Sequence, residues 1–211
     1  MTQEAAKRER IETVLTALDL EVGSKAVLAR AAQLASAHAA WLVVLHVIEP
    51  LYDVAAHMKV GESELREQLR RQAIAAIEPL IAESGRTRRT DVWVGFGSPH
   101  EVITRVVRER HADLAVMGPG KGNTFKDKVL GSTADRVIRT SPAPILLVRK
   151  ETTEAYRSVA VAVDGSPQSA RAFVEARRLA SEASFQLIHA VDIPLTFQQA
   201  MLRAGTSLVE I

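Results

Sequence analysis

The chain has no cysteine among its 211 residues. Disulfide bonds, thiolate nucleophiles and metal sites built from cysteine are therefore excluded. Aromatic residues are also scarce, at 4%, while hydrophobic residues as a whole make up 47%. A core of Ala, Val and Leu suits helices packed on a sheet better than a sandwich of two sheets.

Long apolar runs are missing as well. No segment approaches the roughly 18 apolar residues of a membrane-spanning helix. The N-terminal "MTQEAAKRER" is charged and no apolar segment of a secretory signal follows it. These absences predict a cytoplasmic protein that does not bind membranes.

The chain also lacks a strong excess of positive or negative charge. It has 27 Lys and Arg against 25 Asp and Glu, a net charge of +2. The densest basic group is "GRTRR" at residues 85–89, which we interpret as a solvated loop. Binding of nucleic acid needs a basic face, often with aromatic platforms, so we expect no nucleic-acid partner.

Short apolar runs alternate with helical patterns along the first 150 residues. We expect strands at residues 13–20, 41–48, 90–97, 113–118 and 145–150, and helices at 24–38, 63–84, 100–111 and 132–139. Ser63 is expected to cap the second helix, and Pro79 to end or kink it near its last turns. Strands that are apolar on both faces and alternate with helices predict an α/β fold, a five-stranded, open, parallel, doubly wound sheet.

The beginning of this pattern recurs later in the chain. "SVAVAVDGSPQSARAFVEARRLAS" repeats "TVLTALDLEVGSKAVLARAAQLAS" at a shift of 145 residues, so that Asp164 matches Asp19. After a gap of two residues His189 matches His46, and we expect both to be hydrogen-bonded structural histidines. The predicted organisation is a complete unit at residues 1–150, a linker at 151–157 and a partial second copy at 158–211. That copy could belong to a tandem protein, dock on the first unit, or be completed by a second chain.

A glycine-rich stretch, "MGPGKGNTFKDKVLGST", follows the fourth strand. It contains no Gly-Lys-Ser/Thr as in a P-loop, and Asn123 stands where a dinucleotide fingerprint needs its third glycine. It nevertheless leaves the carboxyl end of a parallel strand, where open sheets bind ligands, and Gly131 opens a helix whose free N–H groups favour an anion. An ordinary connection, with Ser132 or Thr133 as the N-cap of the helix, explains the same residues equally well.

Several longer segments carry a family resemblance. They are "LHVIEP" at the second strand, "GSPHEVI" before the third helix, "ADLAVMGPGKG…LGSTADRVIRTSPAPILLVRK", and "VAVDGSPQSARA" in the repeat. Over residues ~11–150 and again from ~157, the chain resembles the universal stress protein family. The resemblance implies a Rossmann-like sheet of the adenine nucleotide alpha hydrolase type, and an ATP site in which the fourth strand is followed by G-x2-G-x9-G-[S/T].

The resemblance assigns ATP-site roles to residues of this chain. The first and last glycines of the motif fall on Gly118 and Gly131, but the second falls on Lys121. Asp19 matches the aspartate near adenine, although it could simply cap the following turn, and Leu20 replaces the usual glycine after it. The implied site, for ATP with Mg²⁺, comprises Asp19, Val47, Met117, Gly118, Gly120, Lys121, Gly131, Ser132 and Thr133.

By resemblance, the predicted function is that of a cytoplasmic stress-response module that signals through nucleotide occupancy and dimerisation. No catalytic triad or pair of carboxylates stands out, so we expect no enzyme beyond weak ATP hydrolysis or autophosphorylation. The alternative is a universal stress protein that binds no nucleotide and acts as an interaction protein. It would form a homodimer, or pair its two repeats, through the exposed edge of the fifth strand or through the half domain. Lys121 and Leu20 favour that alternative.

Overall fold

The structure, a computed structural model, describes residues 10–49, 61–85, 87, 89–120, 130–152 and 154–191. The chain divides into two compact units, Met1–Glu154 and Ala155–Ile211. The expectations for Lys121 and for the repeat beyond residue 191 lie outside the described residues. Where the structure describes the chain, no helix combines the length and the apolar character needed to cross a membrane.

The first unit is built from alternating strands and helices. Its strands are β1 (Thr13–Leu18), β2 (Trp41–Ile48), β3 (Thr90–Phe96), β4 (Leu114–Met117) and β5 (Ile145–Leu147). Its helices are α1 (Ser24–Ala37), α2 (Glu62–Glu83), α3 (Pro99–Glu109) and α4 (Ser132–Thr140). The strands pair in parallel in the order β3-β2-β1-β4-β5, which is the predicted open doubly wound sheet.

Helices cover both faces of this sheet. α1 packs against α2, and α3 packs against α4. Fully buried Leu, Val and Ile side chains fill the space between sheet and helices, among them Leu15, Leu42, Val43, Val44, Leu45, Leu114 and Val116. Central strands of this kind are apolar on both faces because each face packs against a helical layer.

Polar contacts at two places tie distant parts of the unit together. The Asp113 carboxylate accepts hydrogen bonds from the amides of Glu12 (2.8 Å) and Thr13 (3.0 Å), which joins the beginning of β1 to the chain before β4. Arg30 is only 2% exposed, and its guanidinium donates to the Glu154 carbonyl at 2.8 Å. The end of the first unit is thereby held on α1.

Several expected element ends differ from the observed ones. α2 begins at Glu62, and its N-cap is Gly61. Ser63 lies inside the helix, so the prediction that Ser63 caps it is wrong. Pro79 also lies inside α2, which continues to Glu83. β1 ends at Leu18 and β5 at Leu147, before the polar residues that the apolar pattern had included.

The second unit contains β6 (Ser158–Ala162), α5 (Pro167–Leu179) and β7 (Ser184–Ile188). β6 and β7 pair in parallel, with Ser158 opposite Ser184, as Thr13 stands opposite Trp41 in the first unit. The Ser184 amide donates to the Arg157 carbonyl (2.9 Å), and the Trp41 amide donates to the Glu12 carbonyl (2.8 Å). The sequence repeat aligns Glu12 with Arg157 and Trp41 with Ser184, so the two hydrogen bonds are equivalent.

The repeated histidines make the same contact in the two units. His46 Nδ1 lies 2.8 Å from the Leu18 carbonyl oxygen, and His189 Nδ1 lies 2.7 Å from that of Val163. Because a carbonyl only accepts, each Nδ1 carries the hydrogen and donates it. The expected hydrogen bonding of both histidines is confirmed by this geometry.

Candidate functional site

The candidate site lies at the carboxyl ends of three neighbouring strands. β1 pairs with β2 on one side and with β4 on the other, so the direction in which strands are added reverses beside β1. In open parallel sheets, ligands bind outside the carboxyl ends of strands at such a reversal. The last pairs here are Leu18 with His46 and Ala17 with Met117. Asp19, Val47 and Gly118 are the next residues along their strands and therefore lie at the same edge.

Asp19 shapes the turn that leaves β1. Its Oδ1 accepts hydrogen bonds from the Glu21 amide (3.0 Å) and from the Ser24 hydroxyl (2.8 Å) at the start of α1. This is the capping role that the sequence left open for Asp19. Both hydrogen bonds described for Asp19 reach the same carboxylate oxygen, Oδ1.

Leu20 takes up a backbone conformation that favours glycine. Its φ is 61°, and the corresponding Gly165 of the second unit has a φ of 79°. The turn after the strand therefore has the same handedness in both units, although one has a leucine and the other a glycine. A side chain in this region costs about 1–2 kcal/mol of backbone strain. The substitution at Leu20 has thus not changed the course of the chain.

Asp164, the counterpart of Asp19, is surrounded by hydroxyl groups and an amide. The Ser166 hydroxyl, then the Ser166 amide (2.9 Å from Oδ1) and the Ser169 hydroxyl stabilise the carboxylate, and they lower the pKa of Asp164 to about 2. Hydrogen bonds to the charged form favour ionisation. The aspartate-to-serine spacing of five residues is therefore a turn signal in both units.

Val47 and Met117 border the site through the backbone. β3 continues to pair with Val47 and Ile48, whereas β1 has already ended opposite His46. Beyond Leu18, no strand of the described chain lies on the β1 side of β2. The Met117 side chain is 6% exposed and belongs to the core, and its carbonyl accepts from the Val148 amide (2.9 Å).

The two ends of the glycine-rich loop touch each other. The Gly131 amide donates to the Pro119 carbonyl at 2.8 Å. A Cβ on Gly120 would lie 3.0 Å from the Gly131 Cα, and one on Gly131 would lie 3.0 Å from the Gly120 Cα. Gly120 also has a φ of +90°. These two glycines are required by a close crossing of backbones, whereas a Cβ on Gly118 would make only an ordinary 3.6 Å contact with Val27.

α4 starts at this crossing. Its N-cap is Gly131, and no side chain caps the helix, so the prediction of Ser132 or Thr133 as N-cap is wrong. The first amide bonded inside the helix is that of Asp135, to the Gly131 carbonyl (3.0 Å). Within the described chain, no acceptor faces the amides of Ser132 and Thr133. They point their N–H groups out of the positive end of the helix dipole, as anion-binding helix ends do.

Asp135, in the first turn of α4, forms an ion pair with Arg139 of the same helix. Arg139 Nε donates to Asp135 Oδ2 at 3.0 Å, and this hydrogen bond holds the pKa of Asp135 below its usual value. Lys121 and the two further lysines of the loop lie outside the described residues. Among the residues described, no group of three His, Asp or Glu side chains is arranged to hold a metal ion.

The structure thus brings Asp19, Val47, Gly118 and Gly131 to one edge of the sheet. Two further groups of the site were not predicted from the sequence. They are the Ser24 hydroxyl, which donates to Asp19, and the Pro119 carbonyl, which accepts from the Gly131 amide and joins the loop ends. Ser24 had a usable signal, because the aspartate-to-serine spacing recurs in the repeat. Pro119 had none, since its role is carried by a backbone oxygen.

Comparison with known proteins adds sequence relatives. Residues 10–149 match the model of the universal stress protein family. A universal stress protein of Thermus aquaticus is 34% identical over 141 residues, which are 65% of this chain and 98% of the relative. One of Mycolicibacterium smegmatis is 27% identical over 176 residues, 78% of this chain but only 60% of the relative.

Solved structures share the fold. MJ0577 of Methanocaldococcus jannaschii has a TM-score of 0.55 at 23% identity, covering 67% of this chain and 98% of that chain. The universal stress protein UspA of Lactobacillus plantarum has a TM-score of 0.51 at 22% identity, covering 66% of this chain and 99% of that chain. At these identities the similarity speaks for the fold alone. Because the family model matches residues 10–149, this chain belongs to the universal stress protein family.

Proposed function

We propose that the chain binds ATP at the carboxyl edge of its first sheet and acts as a stress-response module that signals through nucleotide occupancy. One observation carries the proposal. The hydrogen bond from Gly131 to Pro119 holds the start of α4 against the end of β4, with the amides of Ser132 and Thr133 directed outward. An anion at that point gains hydrogen bonds and the helix dipole together.

The residues present fit an adenine nucleotide. The backbone edge of β2 at Val47 offers hydrogen-bonding groups where no β1 residue pairs, and Asp19 lies at the adjoining strand end. At the other end of the site, the backbone of Gly118 and Gly120 and the hydroxyls of Ser132 and Thr133 are suited to phosphate oxygens. Mg²⁺ would arrive with the nucleotide, because it commonly binds through phosphates and water. Lys121 would supply additional positive charge.

The departure at Leu20 does not weaken this proposal. Because Leu20 has the same left-handed conformation as Gly165, it leaves the Asp19 turn in the form that the repeat shows. The proposed role of the chain is to bind ATP and not to hydrolyse it. Pairing with a second copy along the edge of β5 would transmit whether ATP is bound.

We also propose that residues 158–211 are a partial copy of the universal stress protein unit, joined by a linker at residues 151–157. The support is the set of equivalent hydrogen bonds, the shared histidine contact and the shared left-handed turn residue.

The experiment for ATP binding starts with the purified chain. We expect denaturation to release ATP or ADP that mass spectrometry detects, and calorimetry to show binding of ATP with Mg²⁺ to the emptied protein. Ser132→Asp should weaken this binding at least tenfold, or about 1.4 kcal/mol. The new carboxylate repels phosphate, although an acidic residue in the first turn suits the helix dipole.

The matched control is Gln72→Glu, which makes the same change in charge on the exposed side of α2. It should leave the affinity for ATP within twofold of the original protein. If no nucleotide is released and millimolar ATP with Mg²⁺ produces no heat, the proposal fails and the non-nucleotide alternative takes its place.

A further inference from the structure

A second surface of the first unit has no part in the nucleotide proposal. Both tryptophans of the chain, Trp41 and Trp93, lie on it. Arg89 is stacked on the Trp41 ring, with 3.9 Å between the guanidinium carbon and the ring centroid, and Arg110 is stacked on Trp93 at 4.0 Å. Arg110 also lies 6.0 Å from the Trp41 ring. We call these four residues the tryptophan–arginine surface.

The fold explains why the four residues meet. Trp41 begins β2, Arg89 immediately precedes β3, and Arg110 follows the last residue of α3. Thr90 pairs with Leu42 and Trp93 with Leu45, and since strand side chains alternate, Trp41, Arg89 and Trp93 share the face covered by α3. α3 ends at Glu109, before it can cover the amino ends of these strands. The surface therefore lies toward the amino ends of the strands, away from the candidate ATP site.

The surface is accessible and rich in hydrogen-bond donors. Trp93 is 38% exposed, and Arg89 is exposed. A guanidinium held over a ring by a cation–π interaction keeps N–H groups available to donate to an acceptor. The Trp41 indole N–H is shielded from solvent and has no acceptor among the described residues. Beside Trp41 and Arg89 is an open cavity of about 370 Å³, lined also by Glu12, Ala39 and Ala40.

In the described chain, this surface carries the positive charges of Arg89 and Arg110. Glu12 lines the cavity and Asp91 shares the strand face, but in the described chain neither forms an ion pair with Arg89 or Arg110. Arg105, by contrast, is paired with Glu109 at 3.7 Å. Among the described residues, the two stacked arginines are thus held in place by aromatic rings and not by carboxylates.

We propose that the tryptophan–arginine surface binds an acidic peptide segment of a partner protein, with one carboxylate at Arg89 and another at Arg110. Tryptophan and arginine are the residue types that most often dominate binding energy at protein interfaces. Stacking fixes the position of each guanidinium in advance, which lowers the entropy lost when a carboxylate binds it. The proposal does not depend on ATP binding.

The test uses N-acetylated hexaglutamate as the probe and the protein's own fluorescence as the signal. Because both tryptophans belong to the surface, a saturable change in their emission reports binding there. We expect such a change at low salt, weakening as salt is added. Arg89→Gln and Arg110→Gln should each weaken the apparent affinity at least fivefold.

The control is Arg105→Gln, which removes the same charge from α3 at a residue outside the surface and should change the affinity less than twofold. Circular dichroism shows whether each variant is folded, and Arg89→Lys provides a second, milder variant that should bind with intermediate affinity. Absence of a saturable emission change would overturn the proposal. So would an Arg105→Gln variant as weak as Arg89→Gln, or tighter binding of a thymidine 12-mer than of hexaglutamate, which would assign the surface to nucleic acid.

Discussion

At the scale of single residues, the glycines of the loop after β4 have two distinct explanations. Gly120 and Gly131 contact each other so closely that a Cβ on either would press on the backbone of the other. Their presence follows from the fold whether or not a nucleotide binds. Gly118 has no such constraint, because a Cβ there would meet only the end of the Val27 side chain. A glycine pattern therefore cannot by itself be taken as evidence for phosphate.

We predict that Gly131→Ala destabilises the first unit by about 1–3 kcal/mol, the usual cost of forcing an extra methyl group into a packed region. The new Cβ would lie 3.0 Å from the Gly120 Cα and 3.1 Å from the Pro119 carbonyl oxygen, and neither backbone can rotate away as a side chain would. Urea unfolding followed by tryptophan fluorescence measures the effect, since both tryptophans are in the first unit.

Gly118→Ala is the matched control for this prediction. Its Cβ makes an ordinary contact, so the free energy of unfolding should stay within about 1 kcal/mol of the original. If Gly131→Ala is as stable as Gly118→Ala, the close crossing of the two loop ends does not exist in solution.

At the scale of helices and strands, α2 shows how burial overrides a local signal. Pro79 cannot donate to the carbonyl of Ala75, and it was expected to end or kink the helix near its last turns. The helix does not end at the proline but continues to Glu83. Ile77 is fully buried on the side of α2 that faces the unit, and the Ser84 amide closes the last turn on the Leu80 carbonyl (3.0 Å). The burial of Ile77 before the proline and the hydrogen bond of the Ser84 amide after it keep the helix together.

Because Pro79 is exposed and lies inside the helix, Pro79→Ala should stabilise the first unit. We expect a gain of about 1–3 kcal/mol, since proline in a helix interior costs roughly 3 kcal/mol relative to alanine. Urea unfolding measures the gain, and Glu78→Ala, at the exposed neighbouring position, should change stability by less than about 0.5 kcal/mol. A loss of stability in Pro79→Ala would mean that the proline has a favourable role that the helix does not reveal.

The type and order of the elements could be predicted from the sequence, but several of their ends could not. Apolar runs and helical periodicity located the nine elements that the structure describes in the first unit, because each buries a continuous apolar face. The caps were missed at Ser63 and Ser132, where glycine occupies the N-cap and the hydroxyl residue lies inside the helix. Cap position depends on the backbone angles at the turn, and residue preferences alone do not determine them.

For the candidate site, the sequence placed Asp19, Val47 and Gly118 correctly at one edge, because parallel strands end together. It could not show that Gly120 and Gly131 touch, because these glycines are eleven residues apart in the sequence and their contact depends on the folded backbone. Nor did it show that Arg89, Trp41, Trp93 and Arg110 stack. The group at residues 85–89 was expected to be a solvated loop, and only the pairing of β2 with β3 brings Arg89 to Trp41.

At the scale of the whole chain, two units with matching local structure differ in how much they bury. In β2, the residues from Leu42 to Leu45 are fully buried, whereas in the equivalent strand β7 no residue is buried. The helix α1 has eight buried residues, while α5 has none. Since the hydrogen bonds and turn of the two segments correspond, the difference lies in packing against further elements and not in local geometry.

We predict that hydrogen exchange separates the two units. Amides in β2 should exchange only when the whole first unit unfolds, because that strand lies inside the sheet between two helical layers. Amides in β7 should exchange through local opening, with protection factors at least about 100-fold lower, since few apolar contacts oppose it. Exchange followed by mass spectrometry on peptides covering Trp41–Ile48 and Ser184–Ile188 compares two strands that share pairing and register. The corresponding pair β1 and β6 provides an independent repeat of the comparison. Equal protection in the two units would show that β7 is covered in solution by another part of the chain or by a second copy.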